Sequence, residues 1–314
     1  MVLDKKFENL FLNVTSRAAL ASAFLTGKKD KIAADKAAVD AMRKELNKIN
    51  MNGRIVIGEG ELDKAPMLYI GENVGTKNGP LLDIAVDPLE GTNFVANGLP
   101  GALSVIAVTN KSNLFNAPET YMDKISANCS EPNVIDLDYS VKKNITNLSD
   151  YLNKNPENIT ACILDRPRHF KIIDELKQLK VKLKLISDGD VSGALLVTDN
   201  KHNVDIFLGI GGGPEGVLAA SALDAFGCSF QGRFLFETDE DKSRAKKMGI
   251  NDLKKKYELN EIVSGDSIFC ATGITSGDLV SGIEIQGNEF ISETLVTHKS
   301  SGLKKVIKLK QNIK

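Results

Sequence analysis

The run LLDIAVDPLEGTNFVANG, residues 81–98, constrains the fold more than any other stretch of the chain. It opens as an apolar block of strand length, and ALSVIAVT at 102–109 repeats that character. Near-continuous apolar runs of this kind read as strands covered on both faces rather than as half-solvated ones. Covering layers must then come from helices. Apolar residues recur at helical spacing over 4–25 (Phe7, Leu10, Phe11, Val14, Ala18, Ala21) and over 33–49 (Ala37, Val39, Met42, Leu46, Ile49). Two helices are therefore expected before a first strand at Ile55–Ile57, which Gly58 ends.

From about Asn158 strand and helix patterns alternate through ITACILDRPRH, FKIIDELKQLK, VKLKLISDGD, VSGALLVTD, VDIFLGIGGGPEG and VLAASALDAFG. That alternation predicts an α/β layer, so the chain as a whole is expected to be α/β. The polar stretch SDYLNKNPENIT at 149–160 is the best boundary, giving an N-terminal half at 1–157 and a C-terminal half at 158–314. A chain of 314 residues with 42% hydrophobic and 26% charged content has enough material for sizeable cores. The segment ETDEDKSRAKKMG, charged in both signs, reads as a solvated loop and helix face.

Charge narrows the partners. Forty Lys and Arg face 41 Asp and Glu, a net charge of -1, so neither nucleic acid nor an anionic membrane is expected, and phosphate chemistry must be local. Asp4, Glu8 and Arg17, inside what would have to be an apolar core, lead us to expect neither a signal peptide nor a membrane span in the stretch MVLDKKFENLFLNVTSRAAL. The four cysteines, Cys129, Cys162, Cys228 and Cys270, form no CxxC pair, which argues against zinc and disulfides and suits a reducing cytoplasm.

The strand at 81–87 ends in acids, and a buried charge is costly unless paired. Pro88 fixes the backbone between Asp87 and Glu90, and a tight turn there is expected to bring both carboxylates to one point. Oxygen-only ligation favours Mg²⁺ or Mn²⁺ over zinc. A helix beginning near Gly91 or Thr92 would present free N–H groups to a phosphate, with the Thr92 hydroxyl beside them. An ordinary helix start with acids near its cap accounts for the same letters. The pattern repeats after the first strand, where Glu59, Glu61 and Asp63 follow Gly58, and Asp35 near a helix start is a third candidate, with Lys31 as a possible phosphate contact.

In the second half GIGGGPEG reads as a glycine-rich loop with Glu215 at a helix entry, and it fits neither the P-loop lysine pattern nor a dinucleotide fingerprint. Arg166 and Arg168 in DRPRH suit phosphate, while Asp188 and Asp190 in SDGDV suit sugar hydroxyls. A phosphorylated sugar or polyol satisfies both. His169 is read as having no catalytic role.

Taken in order, GRIVIGEGELDKAPMLYIGE, DIAVDPLEGTN, NAPETYMDK, RPRH, DGDV and GIGGGPEG closely resemble the class II fructose-1,6-bisphosphatases, the GlpX family. DPLEGT is also similar to the motif of lithium-sensitive, Mg²⁺-dependent phosphatases. The resemblance runs from the first helix through SIFCATGITSGDLV. It implies a sugar-phosphatase fold, an α+β layered sandwich of alternating helix and sheet layers, with the N-terminal half binding metal and the C-terminal half binding substrate. It implies metal ligation by Asp35, Glu59, Asp87, Glu90 and Glu215. Substrate contacts would fall on Glu90, Gly91, Thr92, Tyr121, Arg166, Pro167, Arg168, Asp188, Gly189, Asp190 and Gly212. Catalysis would rest on Thr92 with Glu59, Asp87 and Glu90, Thr92 being either nucleophile or water-positioning hydroxyl.

The activity implied is hydrolysis of the 1-phosphate of D-fructose 1,6-bisphosphate, in gluconeogenesis from glycerol or other non-sugar carbon. Sedoheptulose 1,7-bisphosphate and inositol phosphates are alternative substrates, and a non-catalytic sugar-phosphate sensor is an alternative of another class. Mn²⁺ or Mg²⁺ dependence, lithium inhibition, a cytoplasmic location and a homodimer or homotetramer are further implications. Two departures stand out, Arg166 and Gly213, where lysine and alanine are often expected, and the charged segment after Gly232 is shorter than in some relatives.

Overall fold

The computed structural model describes residues 2–60 and 67–314, and the chain divides into two compact units. The first comprises Met1–Phe115 and Val263–Lys314, and the second Asn116–Ile262. Glu61 and Asp63 lie outside the described residues.

The first unit opens with helices α1 (Lys6–Ala23) and α2 (Lys31–Leu46), both at the expected places. Asp30, not Asp35, caps α2, its carboxylate accepting from Ala33 N–H at 2.9 Å. Strands β1 (Asn52–Ile57), β2 (Asn73–Val74) and β3 (Leu81–Glu90), the short helix α3 (Thr92–Asn97) and strand β4 (Leu103–Asn110) follow. Strand β1 runs parallel to β3, with Ile55 opposite Ile84 and Ile57 opposite Ala85. Strands β3 and β4 are buried at successive positions, as their unbroken apolar runs require.

The second unit contains β5 (Tyr121–Ala127), α4 (Val141–Leu152), β6 (Thr160–Leu164), α5 (Phe170–Gln178), β7 (Lys182–Ile186) and α6 (Asp190–Leu195). After these come β8 (Ile206–Gly212), α7 (Gly213–Phe226), β9 (Ser229–Leu235), α8 (Asp239–Lys247), β10 (Lys256–Glu258) and α9 (Leu259–Ile262). The strands form a sheet in the order β10-β9-β5-β8-β6-β7, in which β6 is parallel to both β7 and β8 and β5 is antiparallel to β8 and β9. Ile145, Leu148, Ala161, Leu176 and Ile206 are at the centre of its core.

The chain then returns to the first unit as β11 (Ser267–Gly273), β12 (Glu284–Gln286), β13 (Glu289–His298) and β14 (Leu303–Asn312). Strand β11 inserts between β4 and β13, Phe269 facing Ala107 on one side and Thr297 on the other. The sheet order is β12-β13-β11-β4-β3-β1-β2, with β14 paired to β13. Helix α1 packs on this sheet through Phe7, Phe11 and Val14, joined by Met42 and Leu46 of α2 and by Ile84, Ile106 and Ile268.

The mixed α/β character agrees with the sequence, but the boundary expected at 157/158 does not. Residues 149–160 hold only the end of α4, a 3₁₀ turn at Pro156–Asn158 and the start of β6, all inside the second unit. The change of composition there marks a helix-to-strand connection. The true crossings follow Phe115 and Ile262, because β11 pairs back onto β4, more than a hundred residues earlier, and β12 to β14 extend the sheet from β11.

Candidate active site

In the first unit the acids gather at the carboxyl end of the parallel pair. Ile57 and Ala85 are the last register partners of β1 and β3, and Glu59 and Asp87 each lie two residues further on. The expected turn at Asp87–Glu90 is instead a bulged continuation of β3. Asp87 pairs with Val105 and Glu90 with Leu103, so three steps on β3 match two on β4. Pro88, which has no N–H for the ladder, occupies the irregularity. Residues three apart on a regular strand face opposite ways. The extra residue restores parity, and Asp87 and Glu90 share a face as Val105 and Leu103 do.

Glu90 is only 4% exposed, whereas Asp35, Glu59, Asp87 and Thr92 are partly buried. Gly91 sits in the left-handed region at φ 80°, which turns the chain from β3 directly into α3. Asp87 accepts from Leu89 N–H at 3.2 Å and the Thr92 hydroxyl donates to the Leu89 carbonyl at 3.3 Å, fixing both side chains about the bulge. Helix α2 packs on β3 and α3 and carries Asp35, whose carboxyl is raised from its ordinary pKa by burial. Lys31 is exposed at the start of the same helix.

In the second unit the expected substrate residues assemble at one end of the sheet. Arg166 to Arg168 follow β6, Asp188 to Asp190 follow β7 and Gly212 ends β8, the carboxyl ends of three parallel strands. Tyr121 begins antiparallel β5 opposite Gly212, at the same end. Ligand sites in open α/β sheets form at such ends. The Arg168 guanidinium lies over the Tyr121 ring at 4.9 Å and its Nε donates to the Ile210 carbonyl at 2.9 Å.

GIGGGPEG is not a loop. Strand β8 runs to Gly212 and α7 starts at Gly213, with Pro214 and Glu215 in its first turn. The glycines serve close approach: a Cβ on Gly211 would fall on the Asp190 carboxylate and one on Gly212 on that of Glu215. At the departure noted above, an alanine Cβ at Gly213 would lie 2.8 Å from the Phe234 ring, so glycine matches this packing. Burial raises the Glu215 carboxyl, Lys124 opposing and Asp190 and Asp188 adding to the shift. A cavity of ≈ 430 Å³ opens beside Tyr121, Gly212 and Glu215.

His169 is buried, Nδ1 on the Leu164 carbonyl at 2.7 Å and Nε2 accepting from Ile210 N–H at 2.7 Å. These bonds fix a neutral tautomer, and burial lowers its pKa further from protonation. Both ring nitrogens are thus committed to backbone partners. Lys124 was not legible as a site residue. It looks like an ordinary polar position in YMDKISA, yet it is 1% exposed and ion-paired with Asp190. Only its place beside Tyr121 in NAPETYMDK hinted at a role.

Asp35 and Glu215 are carboxyls raised by burial, and Glu90 is nearly inaccessible. Within each unit, all-oxygen carboxylate donors of this kind suit a hard divalent cation. Among the described residues no group of three or more His, Cys, Asp or Glu is already closed up for a metal. The fit lies in donor chemistry and burial.

Strand-end carboxylates with a hydroxyl beside them in the first unit, and arginines and aspartates at the strand ends of the second, are the residue types that suit a divalent metal and a phosphorylated sugar. The chain belongs to the family described as bacterial fructose-1,6-bisphosphatase, glpX-encoded, which it matches over residues 5–311. It is thus a phosphoric monoester hydrolase of a family that depends on divalent metal. Relatives named D-fructose 1,6-bisphosphatase class 2/sedoheptulose 1,7-bisphosphatase include one from Synechococcus sp. (strain JA-3-3Ab), 40% identical over 95% of this chain and 93% of its own. Another, from Trichodesmium erythraeum (strain IMS101), is 41% identical over 92% of this chain and 91% of its own. A solved inositol monophosphatase from Anabaena (Nostoc) sp. PCC 7120 overlaps 60% of this chain and 71% of its own at 14% identity and a TM-score of 0.31, too slight a likeness to carry an argument. Among the described residues no helix is long and apolar enough to cross a membrane.

Proposed function

We propose that this protein hydrolyses the 1-phosphate of D-fructose 1,6-bisphosphate, giving D-fructose 6-phosphate and inorganic phosphate. The observation that carries the reading is the placement of Glu59 and Asp87 at equal distances beyond the last β1–β3 register pair, with Glu90 on the Asp87 face and Thr92 next in chain. Asp35, Glu59, Asp87 and Glu90 are proposed as ligands of Mg²⁺ or Mn²⁺. Glu215, in the second unit, is proposed as a metal ligand as well. When bound, the cation neutralises phosphoryl oxygens and lowers the pKa of water.

The chain's own groups then have definable tasks. Asp87, held by Leu89 N–H, and buried Glu90 keep their carboxylates fixed about the bulge. Thr92 Oγ1, released from the Leu89 carbonyl, either orients the attacking water or attacks phosphorus itself. If water attacks, its oxygen bonds phosphorus, the P–O1 bond breaks and a water proton passes to O1. If Thr92 attacks, its hydroxyl proton passes to O1 as the P–O1 bond breaks, and a water then hydrolyses the Thr92 phosphoester, releasing phosphate and restoring the hydroxyl. Arg168, stacked on Tyr121, and Arg166 are proposed to hold the second phosphate, and Asp188 and Asp190 the sugar hydroxyls. Gly91, Pro167, Gly189 and Gly212 would supply backbone contacts around them.

The names of the relatives favour sedoheptulose 1,7-bisphosphate as a second substrate. Comparing kcat/KM for the two bisphosphates and inositol monophosphate ranks them, and preference for the monophosphate would overturn the choice. A homodimer or homotetramer working in the cytoplasm, in glycerol-linked gluconeogenesis, completes the proposal. The deciding experiment is phosphate release from fructose 1,6-bisphosphate with Mn²⁺ and its abolition by EDTA. Binding of the sugar without release under any divalent metal would replace the enzyme by a sensor.

A further inference from the structure

We infer that Lys124 is a positioning residue that fixes Asp190 for a sugar hydroxyl, through an ammonium group shared between the start of α6 and the end of β8. The inference rests on the proposed role of Asp190 as a substrate contact. Lys124 stands in the middle of β5, and its register partners on both sides are glycines, Gly209 and Gly232, so no side chain stands directly opposite it on either neighbouring strand. A lysine 1% exposed must find compensating partners, because an unpaired buried ammonium is strongly unfavourable.

Two partners are present. The ammonium donates to Asp190 Oδ2 and to the Gly212 carbonyl, the latter at 2.7 Å. The other oxygen, Asp190 Oδ1, is buried with no hydrogen-bond partner among the described residues. One carboxylate oxygen is anchored and the other is kept for a donor the protein does not supply. A substrate hydroxyl is such a donor.

The surroundings are cut to this arrangement. The absent Cβ of Gly211 makes room for the Asp190 carboxylate, and a Cβ at Gly216 in α7 would lie 3.1 Å from Lys124 Cδ. The lysine stem is thus wedged against the helix that carries Glu215. One side chain ties together β8, α6 and α7 where the proposed substrate and metal groups emerge.

The test is a double-mutant cycle of Lys124→Met, Asp190→Asn and the double variant. Each is read by thermal midpoint and by the affinity for fructose 6-phosphate without metal, alongside KM and kcat for the bisphosphate. If Lys124 acts through Asp190, each single variant weakens sugar-phosphate affinity about tenfold, and the double variant also weakens it about tenfold rather than a hundredfold. Lys124→Met lowers the midpoint by stranding the Asp190 charge, and adding Asp190→Asn recovers it. KM rises more than kcat falls. Affinity losses that multiply, or an unchanged affinity in folded Lys124→Met, overturn the inference. A wild type that releases no phosphate overturns the functional reading instead, and the pairing is then judged by the midpoint cycle alone, where additive shifts refute it.

Discussion

Replacing Asp35 by asparagine should stabilise the metal-free protein and destabilise the metal-bound one. Burial raises the Asp35 carboxyl above its ordinary value of 3.8, so the folded chain holds that proton more tightly than the unfolded chain does. Stability from this group is therefore greatest below 3.8 and falls as pH rises through the folded pKa, leaving a partly buried charge at neutral pH. Asparagine removes the charge and keeps the shape. Because Asp35 is only half-buried, relief in the middle of the usual range for such changes is expected, about 1 kcal/mol. A gain of that size moves the thermal midpoint by about 2–4 °C in a unit of 150–250 residues.

Mn²⁺ reverses the order, since at a hundred times its Kd a ligand adds about 2.7 kcal/mol to the wild type, and the variant, short of one ligand, gains less. The assay is thermal unfolding of both proteins between pH 4 and 8, in EDTA and in Mn²⁺. Asparagine less stable than aspartate in EDTA at pH 7, or an equal Mn²⁺ gain in both proteins, would refute the reasoning.

Two further outcomes follow from the packing. Gly211→Ala puts a methyl on the Asp190 carboxylate and should cost about 1–3 kcal/mol of stability while raising KM, measured by urea unfolding and steady-state kinetics. Burial lowers the His169 pKa below its ordinary 6.5, so its contribution is complete above 6.5 and is lost as pH falls toward the folded value; His169→Gln should flatten this acid limb in pH-dependent unfolding, and an unchanged limb would exclude His169 as its source.

Much of the local structure was legible because it depends on neighbours in sequence. The apolar blocks that became β3 and β4 need no distant information to be read as covered strands, and the spacing of Phe7, Phe11 and Val14 already describes the buried face of α1. The acids after β1 and β3 stood out because charge following a buried strand is unusual. What escaped was set by pairing at long range. SIFCATG reads as a buried strand wherever it is placed, and nothing in its letters selects Ile106 and Val296 as partners of Cys270. The missed boundary follows from that. The turn at Asp87 became a bulge because register against β4, invisible in one strand alone, decides how an extra residue is absorbed. GIGGGPEG resembled a flexible loop because glycine has the same letter whether it supplies freedom or room, and here it supplies room for the Asp190 and Glu215 carboxylates. Lys124 escaped for a related reason, since one lysine in a strand is usually solvated and only the tertiary fold buries it.

The most direct test is single-turnover phosphate release from D-fructose 1,6-bisphosphate by wild type and Thr92→Ala, with Mn²⁺ and with EDTA. The wild type should release one phosphate, from the 1-position, only with metal. Thr92→Ala should retain substrate binding and lose at least about 10²-fold in rate, as when an oriented hydroxyl is removed from a transition state. Metal-independent release, or a near-wild-type rate in Thr92→Ala, would contradict an active site built on the β3 bulge.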